Sequence, residues 1–428
     1  MHGLPQTLIQ LLDKGVRIPN PHSVHIGDDI SPDRISGEDV IFYPGTRLSG
    51  RRTLIGPGVR LGHEAPVTLI NCHLGRKVEL KGGFFSESTF LERSSMGSGA
   101  QVREGCLLEE QASGNHTVGL KQTILLPFVT LGSLINFCDC LMAGGTSRKN
   151  HSEVGSSYIH FNYTPNQDKA TPSLIGDVPH GVMLSQPPIF LGGQGGLVGP
   201  ARIGYGTVIA AGTICRRDCP EGSRLLTAAQ PADQGENSRN FVPGRYGNIG
   251  RKVLNNLNYI ANILALKTWY LHVRQPFFRR MTLGEALFEG VMEVLQQAAQ
   301  ERLNRFRNLA EKMESSLLLL PGVNDRQKRE ELAAQQCELS ANWPEVEGCF
   351  TCGQEEAIGT ERRNIFLDRI EEKIVKTDSD YLSIIQTLDP QTAGLGTAWL
   401  QEIVDILTRQ ALTYLPACEK SKNKRPHA

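Results

Sequence analysis

A parallel β-helix followed by an α-helical domain is the fold class this chain predicts, on three observations. Apolar residues recur every six positions through much of the first half. Glycine is abundant, at 44 of 428 residues, while aromatics make up only 6%, a balance that suits a turn-rich repeat better than an ordinary sandwich. After about residue 250 the six-residue beat gives way to three–four spacing, the period of an amphipathic helix.

The chain is long enough for two or three domains and for a core that needs no staples. Lys+Arg and Asp+Glu both number 45, so net charge points to neither nucleic acid nor an acidic membrane surface. Ten cysteines are scattered without a framework, several inside apolar repeats where a thiol behaves as a small hydrophobe. The start, "MHGLPQTLIQLLDKGVRIPNP", has apolar residues at helical spacing but no basic segment and no small-residue cleavage site. Residues 1–34 therefore read as a short helix and lead-in, not a signal peptide. The longest apolar run, "YIANILALKTWYLHV", is broken by Lys267 and is too short to span a bilayer. No membrane association and a reducing, cytoplasmic location are expected.

The beat is clearest at Leu191, Leu197, Ile203, Ile209 and Cys215, six apart without a slip: "LGGQGG LVGPAR IGYGTV IAAGTI CRRDCP". It occurs earlier at Ile55, Leu61 and Val67, at Val118 and Ile124, and at Val154 with His160 on the next beat. A period of six fits neither an amphipathic helix nor a hairpin sheet. It fits a short strand and a tight turn, repeated, with Gly, Asn or Asp at positive φ. Stacking such units puts the first-position residues in one interior column, and no unit buries its apolar side alone. The solenoid is assigned to residues 35–226, with phase breaks at 81–96, 138–150 and 163–188 expected as loops on one face. Residues 227–250 read as a polar linker. Residues 251–417 read as four to six helices, with Thr282 and Glu285 in a capping box and a role in oligomerisation or in capping a solenoid end. Residues 418–428 read as a disordered basic tail. "CFTCG" at Cys349–Cys352 has zinc-ligand spacing but no second pair nearby, so no metal site is assigned.

The stretch "HSEVGSSYIHFNYTPNQDKATPSLIGD", 151–177, is far more polar than a structural repeat requires. His151 lies just before a strand and is the chief candidate for a general base. His160 occupies a first position of a hexad, where it is either a core histidine hydrogen-bonded to backbone or a second candidate base. His180 reads as a surface-loop residue. The segment around Asp168 and Lys169 either cradles an anion through its turns or is a solvated insertion.

The hexads together with "NYTPNQDKA" and "AAGT" resemble the left-handed β-helix acyltransferases. Within them the chain is similar to the acetyltransferase half of bifunctional N-acetylglucosamine-1-phosphate uridyltransferase. "VGSSYIHFNYTP" parallels a family block ending in Asn-Tyr-Asp-Gly, and "FLGGQGGLVGPARIGYGTVIAAGTICRRDC" parallels the last coils. The resemblance implies a homotrimer with an acetyl-CoA groove between subunits, lined here by Asn162, Tyr163, Lys169, Ala210 and Ala211. It implies a sugar phosphate or a nucleotide sugar such as UDP-N-acetylglucosamine as acceptor, with Asp139 and Asp168 assigned to that substrate. Three positions depart from the family. Its catalytic histidine falls on Asp139, a cofactor-contacting serine is Gly193, and no "LAAGxGTRM"-like nucleotide loop exists, so pyrophosphorylase activity is not supported. Two functions follow. One is a CoA-dependent acyltransferase with His151 or His160 as base and no tightly bound cofactor. The other is a non-catalytic β-helix that binds a nucleotide sugar or a protein partner.

Overall fold

Three short strands and three tight corners make each coil of a parallel β-solenoid of about 11 turns. In the computed structural model, which describes residues 4–228, 241–247, 249–376 and 379–420, successive strands fall on three faces, termed A, B and C in chain order. Phe190–Leu191 lies on face A, Gly196–Val198 on B, Arg202–Ile203 on C, Val208–Ile209 again on A and Ile214–Cys215 on B. Each strand pairs in parallel with its counterpart one coil away. Face A is one ten-stranded sheet from Ile41–Phe42 to Leu225–Leu226. Faces B and C share a second sheet, because Val118–Leu125 and Ile135–Met142 run through the corner without a break.

The six-residue beat corresponds to the inward positions. Leu191, Leu197, Ile203, Ile209 and Cys215 are all buried, and each stacks on the equivalent residue of the next coil. Two departures are informative. Ile124 belongs not to the solenoid interior but to the apolar cluster shared with the helices, the inward residue beside it being Leu125. Residues 81–96 are not a loop: the strands Gly83–Ser86, Ser88–Phe90 and Ser95–Met96 continue all three faces. Leu80, Phe85, Phe90 and Met96 simply fall five, five and six apart, so two corners are each one residue tighter and the beat is hidden. Met96 also fills the space left by Gly114, whose added Cβ would sit 2.8 Å from its terminal methyl.

The other two breaks each contain an insertion, but on different corners rather than one face, and 138–142 and 173–175 are regular strand. Residues 145–151 form a small hairpin, Gly145–Ser147 against Asn150–His151, whose Arg148 lies back across face A and donates to Thr130 Oγ1 and the Gln111 carbonyl. Residues 162–172 bulge from the B–C corner, after which Ser173–Ile175 rejoins face C.

The first strand, His25–Ile26, stands ahead of residue 35. Before it, helix α1 (Gln6–Lys14) stops at Gly15, held at φ 107, and lays Leu8 and Leu11 over the first coil. After Ile175, a short helix α2 (Val178–Gly181) is N-capped by Asp177. Helix α3 (Ile249–Trp269) is buried nearly all round. It continues through a π-helical turn, Tyr270–Arg274, into α4 (Gln275–Phe278) and then α5 (Gly284–Glu311). Thr282 does not cap α5. Leu283 takes the N-cap position at φ 59 without a side-chain bond.

These helices cover a side of the solenoid rather than an end. The outward residues of face C, Leu54, Leu107, Ile124, Leu141 and Leu174, form one cluster with α3 and α5. Face C is therefore apolar on both sides, as expected of a parallel sheet packed between two layers. Helix α5 lies close on face C where Gly290 sits over His73: an added Cβ would be 2.4 Å from the imidazole. The Gly290 carbonyl accepts from Thr89 Oγ1 at 3.2 Å. Gly290→Leu is expected to destabilise by about 1–3 kcal/mol through overpacking. Gly348→Ala, where the added carbon meets nothing within 4 Å, should stabilise by roughly 0.5–1 kcal/mol. Denaturant titrations that gave the two variants the same sign would contradict this packing.

The expected linker, 227–250, falls largely outside the described residues, as do residues 421–428 of the expected tail. The beginning of that tail is ordered, with Cys418 buried in the helix Pro416–Lys420. Among the described residues no helix is long and apolar enough to cross a membrane.

Candidate functional site

The polar stretch has a structural explanation on the B–C corner. Asp139, held at φ 58 between the B and C parts of its strand, is nearly buried. Its Oδ1 lies 2.7 Å from the guanidinium of Arg302, itself only 3% exposed. Its Oδ2 accepts from Asn162 Nδ2 at 2.6 Å, and Asn162 Oδ1 accepts from Thr171 Oγ1 at 2.9 Å. Asp168, 1% exposed, is ion-paired with Lys252 of α3. Asn166 Oδ1 accepts from the Gly244 N–H at 2.9 Å, and its carbonyl from Lys312 Nζ at 2.6 Å. The insertion is thus docked onto the helices, with Tyr163 (63% exposed) and Lys169 left projecting.

His160 sits in the inward column of face B, paired with Asn136's strand on one side and with Leu197 on the other. It is 3% exposed. Its Nε2 lies 2.7 Å from Ser173 Oγ, which in turn accepts from the Ala201 N–H. Burial pushes its pKa down to about 4, so the ring is neutral near neutrality. His151 is half-buried in the hairpin opposite Gly145, and its ring has no hydrogen-bond partner among the described residues. Burial first, and the positive Arg148 second, lower its pKa, while Glu153 acts in the opposite sense. His180 is held at Nδ1 by Asp177 Oδ1 at 2.8 Å, a hydrogen bond that raises its pKa.

Within one chain the predicted residues do not converge. Asp139, Asn162, Tyr163, Asp168 and Lys169 gather on the B–C corner. His151 lies on the C–A corner, and Ala210 and Ala211 on the A–B corner, after the strand Val208–Ile209. The corner is open at Gly212, where a Cβ would meet nothing within 4 Å, while the Ala210–Ala211 backbone packs closely on Gly192.

Sequence reasoning missed the residues that close the B–C corner. The signal lay in α5, where Arg302 stands at a buried position of the series Leu295, Ala298, Ala299, Leu303, Phe306: a charge on an apolar stripe asks for a buried partner. In α3, "RKVLNNLNYIAN" carries the rest. Arg251 pairs bidentately with Asp218, Asn256 donates to the Ala170 carbonyl at 3.2 Å, and Asn262 accepts from the Val178 N–H at 2.8 Å. Asparagines on a buried helix face satisfy backbone groups that the solenoid corners leave open.

No family model matches the chain. It is 26% identical over 222 residues to the bifunctional protein GlmU of Thermotoga petrophila, covering 52% of this chain and 44% of that protein. It is 29% identical over 219 residues to the bifunctional protein GlmU of Trichlorobacter lovleyi, covering 51% and 42%. The chain thus spans less than half the length of these curated relatives. Among solved structures, the UDP-N-acetylglucosamine acyltransferase from Campylobacter jejuni aligns at 12% identity and a TM-score of 0.17, covering 48% of this chain and 66% of that one. The solenoid half is related in sequence to the GlmU proteins and carries the hexapeptide repeats of the acyltransferases it resembles.

Proposed function

We propose that this hexapeptide-repeat solenoid serves a CoA-dependent acetyltransferase that acts on a sugar phosphate or nucleotide sugar and works as a homotrimer. The observation that carries the reading is the coil stack itself, similar over 222 residues to the GlmU proteins, in the stretch that is their acetyltransferase half. The open faces support the assembly. With helices on face C, faces A and B remain, and near their C-terminal end both are apolar outside. Phe190, Val208 and Leu225 stack in register on A, and Ile159 and Ile214 stand on B. Large apolar side chains aligned on an open face mark a contact surface. A site shared between copies can unite Tyr163 and Lys169 of one chain with Ala210 and Ala211 of another.

In this mechanism His151 removes a proton from the acceptor amine or hydroxyl, and the freed lone pair bonds to the thioester carbonyl carbon. Corner N–H groups stabilise the oxyanion. Collapse expels the CoA thiolate, which takes up a proton. The depressed pKa of His151 keeps it in its base form at neutral pH. His160 is tied to Ser173 inside the column, so His151 is the histidine with solvent access.

The test is calorimetric titration with acetyl-CoA and with UDP-N-acetylglucosamine, followed by transfer of labelled acetyl groups. His151→Ala is expected to lower kcat by about 10²–10⁴-fold. The wild-type rate should hold until the pH falls below the ordinary histidine range. Full transfer by His151→Ala, or binding of neither ligand, would sink the reading.

A non-catalytic solenoid that binds a nucleotide sugar or protein partner is favoured by one observation. Where the resemblance expects a histidine, Asp139 is already engaged by Arg302 and Asn162. Tight binding of the nucleotide sugar without turnover would decide for this second reading.

A further inference from the structure

On the C–A corner, in coils that precede the hairpin of His151, five successive coils and the α4–α5 connection line a cavity of about 440 Å³. That volume lies in the range of small-molecule sites. Its apolar wall is Leu54, Leu74, Phe277, Phe278 and Leu287. Its mouth carries Arg76, Arg93 and Arg280, all exposed.

Four arginines, Arg76, Arg93, Arg274 and Arg280, and four carboxylates, Glu38, Glu92, Glu110 and Asp380, line it, but the two sets are not equally engaged. Neither the Arg76 nor the Arg280 guanidinium has a hydrogen bond or ion pair among the described residues. Three of the four carboxylates are engaged, and the fourth, Glu38, is exposed. Glu110 is paired with Arg274 through both guanidinium nitrogens. Asp380 accepts from the Ser383 N–H at 2.8 Å as a helix cap. Glu92 lies 3.6 Å from Arg93, and burial raises its pKa. Deeper in, Arg274 is 2% exposed and lies over the Tyr381 ring at 3.7 Å from its centroid. Its Nε is a buried donor with no partner among the described residues. It ends the π-helical turn Tyr270–Arg274, a distortion found disproportionately at functional sites.

We propose that this cavity binds a small organic anion, a phosphate- or carboxylate-bearing molecule whose apolar body lies against Phe277 and Phe278 while its charge meets Arg76 and Arg280. Arginine suits this task because its planar fork recognises both oxyanions. The proposal does not rest on the acyltransferase reading, since no lining residue is one assigned to that reading and His151, on the same corner, is not among them.

The test uses the full chain with three probes: hexyl phosphate, hexanoate and inorganic phosphate. Calorimetry should find hexyl phosphate or hexanoate bound at least tenfold more tightly than inorganic phosphate, and which of the two binds better identifies the head group. Arg76→Gln combined with Arg280→Gln, both exposed and expected to fold normally, should weaken that binding at least tenfold. His151→Ala should leave it unchanged, which separates its outcome from that of the acyltransferase reading. Equal binding of inorganic phosphate and hexyl phosphate, binding indifferent to the double substitution, or no heat with any probe would each overturn the proposal.

Discussion

Replacing Arg302 with leucine is expected to destabilise the protein by about 3–5 kcal/mol, the range for removing one partner of a buried ion pair. The pair it breaks joins the two halves: Arg302 belongs to α5 and Asp139 to the solenoid, at 2.7 Å. The loss comes less from the missing attraction than from the carboxylate left behind. Asp139 would keep Asn162 as donor but would hold its charge in a nearly closed corner. Asp139→Asn with Arg302→Leu should therefore recover part of the loss, because asparagine tolerates φ 58, keeps an oxygen for Asn162 and leaves no buried charge. Urea titrations of the two single variants and the double variant check this. A single substitution that costs under about 0.5 kcal/mol, as exposed pairs do, would mean that the corner is open to water.

Acidification below pH 6.5 is expected to weaken the fold through two buried histidines, an effect partly offset by Glu109, whose buried carboxyl has its pKa raised to about 7. His73 and His160 are 4% and 3% exposed, and burial lowers both pKa values from 6.5 to about 4. The unfolded chain takes up these protons first. The stability they contribute is thus fully present above pH 6.5 and is lost as pH falls toward 4. At 1.36 kcal/mol per unit, each contributes up to about 3 kcal/mol. His160→Leu restores an aliphatic to the face B column, and His73→Leu leaves Thr89 bonded to the Gly290 carbonyl. Denaturation midpoints at pH 7.5, 6.5, 5.5 and 5.0 should fall for the wild type and flatten in the double variant. A double variant as acid-sensitive as the wild type would refute the assignment.

The solenoid was legible because its physics is local. A corner must reverse the chain within a few residues, so Leu191 to Cys215 keep step whatever packs outside them. Where two corners tighten, between Leu80 and Met96, the step changes and the eye reads a loop. The site was less legible, because its partners are set by docking. Nothing around Asp139 announces Arg302, which lies far along the chain. The asparagines of α3 look like ordinary polar positions until the corners of Ala170 and Val178 are set beside them. Asn162 and Asp168 drew attention by their polarity, and their hydrogen bonds go to the protein's own helices. Tyr163 and Lys169 are what that stretch still offers to a ligand.

The double-sided face C has a consequence for how the chain is made. Synthesis delivers coil after coil whose strands are paired along all three faces, yet each carries a bare strip of Leu54, Leu107, Ile124, Leu141 or Leu174. An open repeat array can be extended and released as it grows. This one emerges from the ribosome as a folded but adhesive ladder and stays so until Ile249 and the helices after it arrive. Fragments ending before α3 should therefore aggregate as structured β-solenoid rather than as unfolded chain, and a chaperone guarding this protein would be shielding a finished sheet.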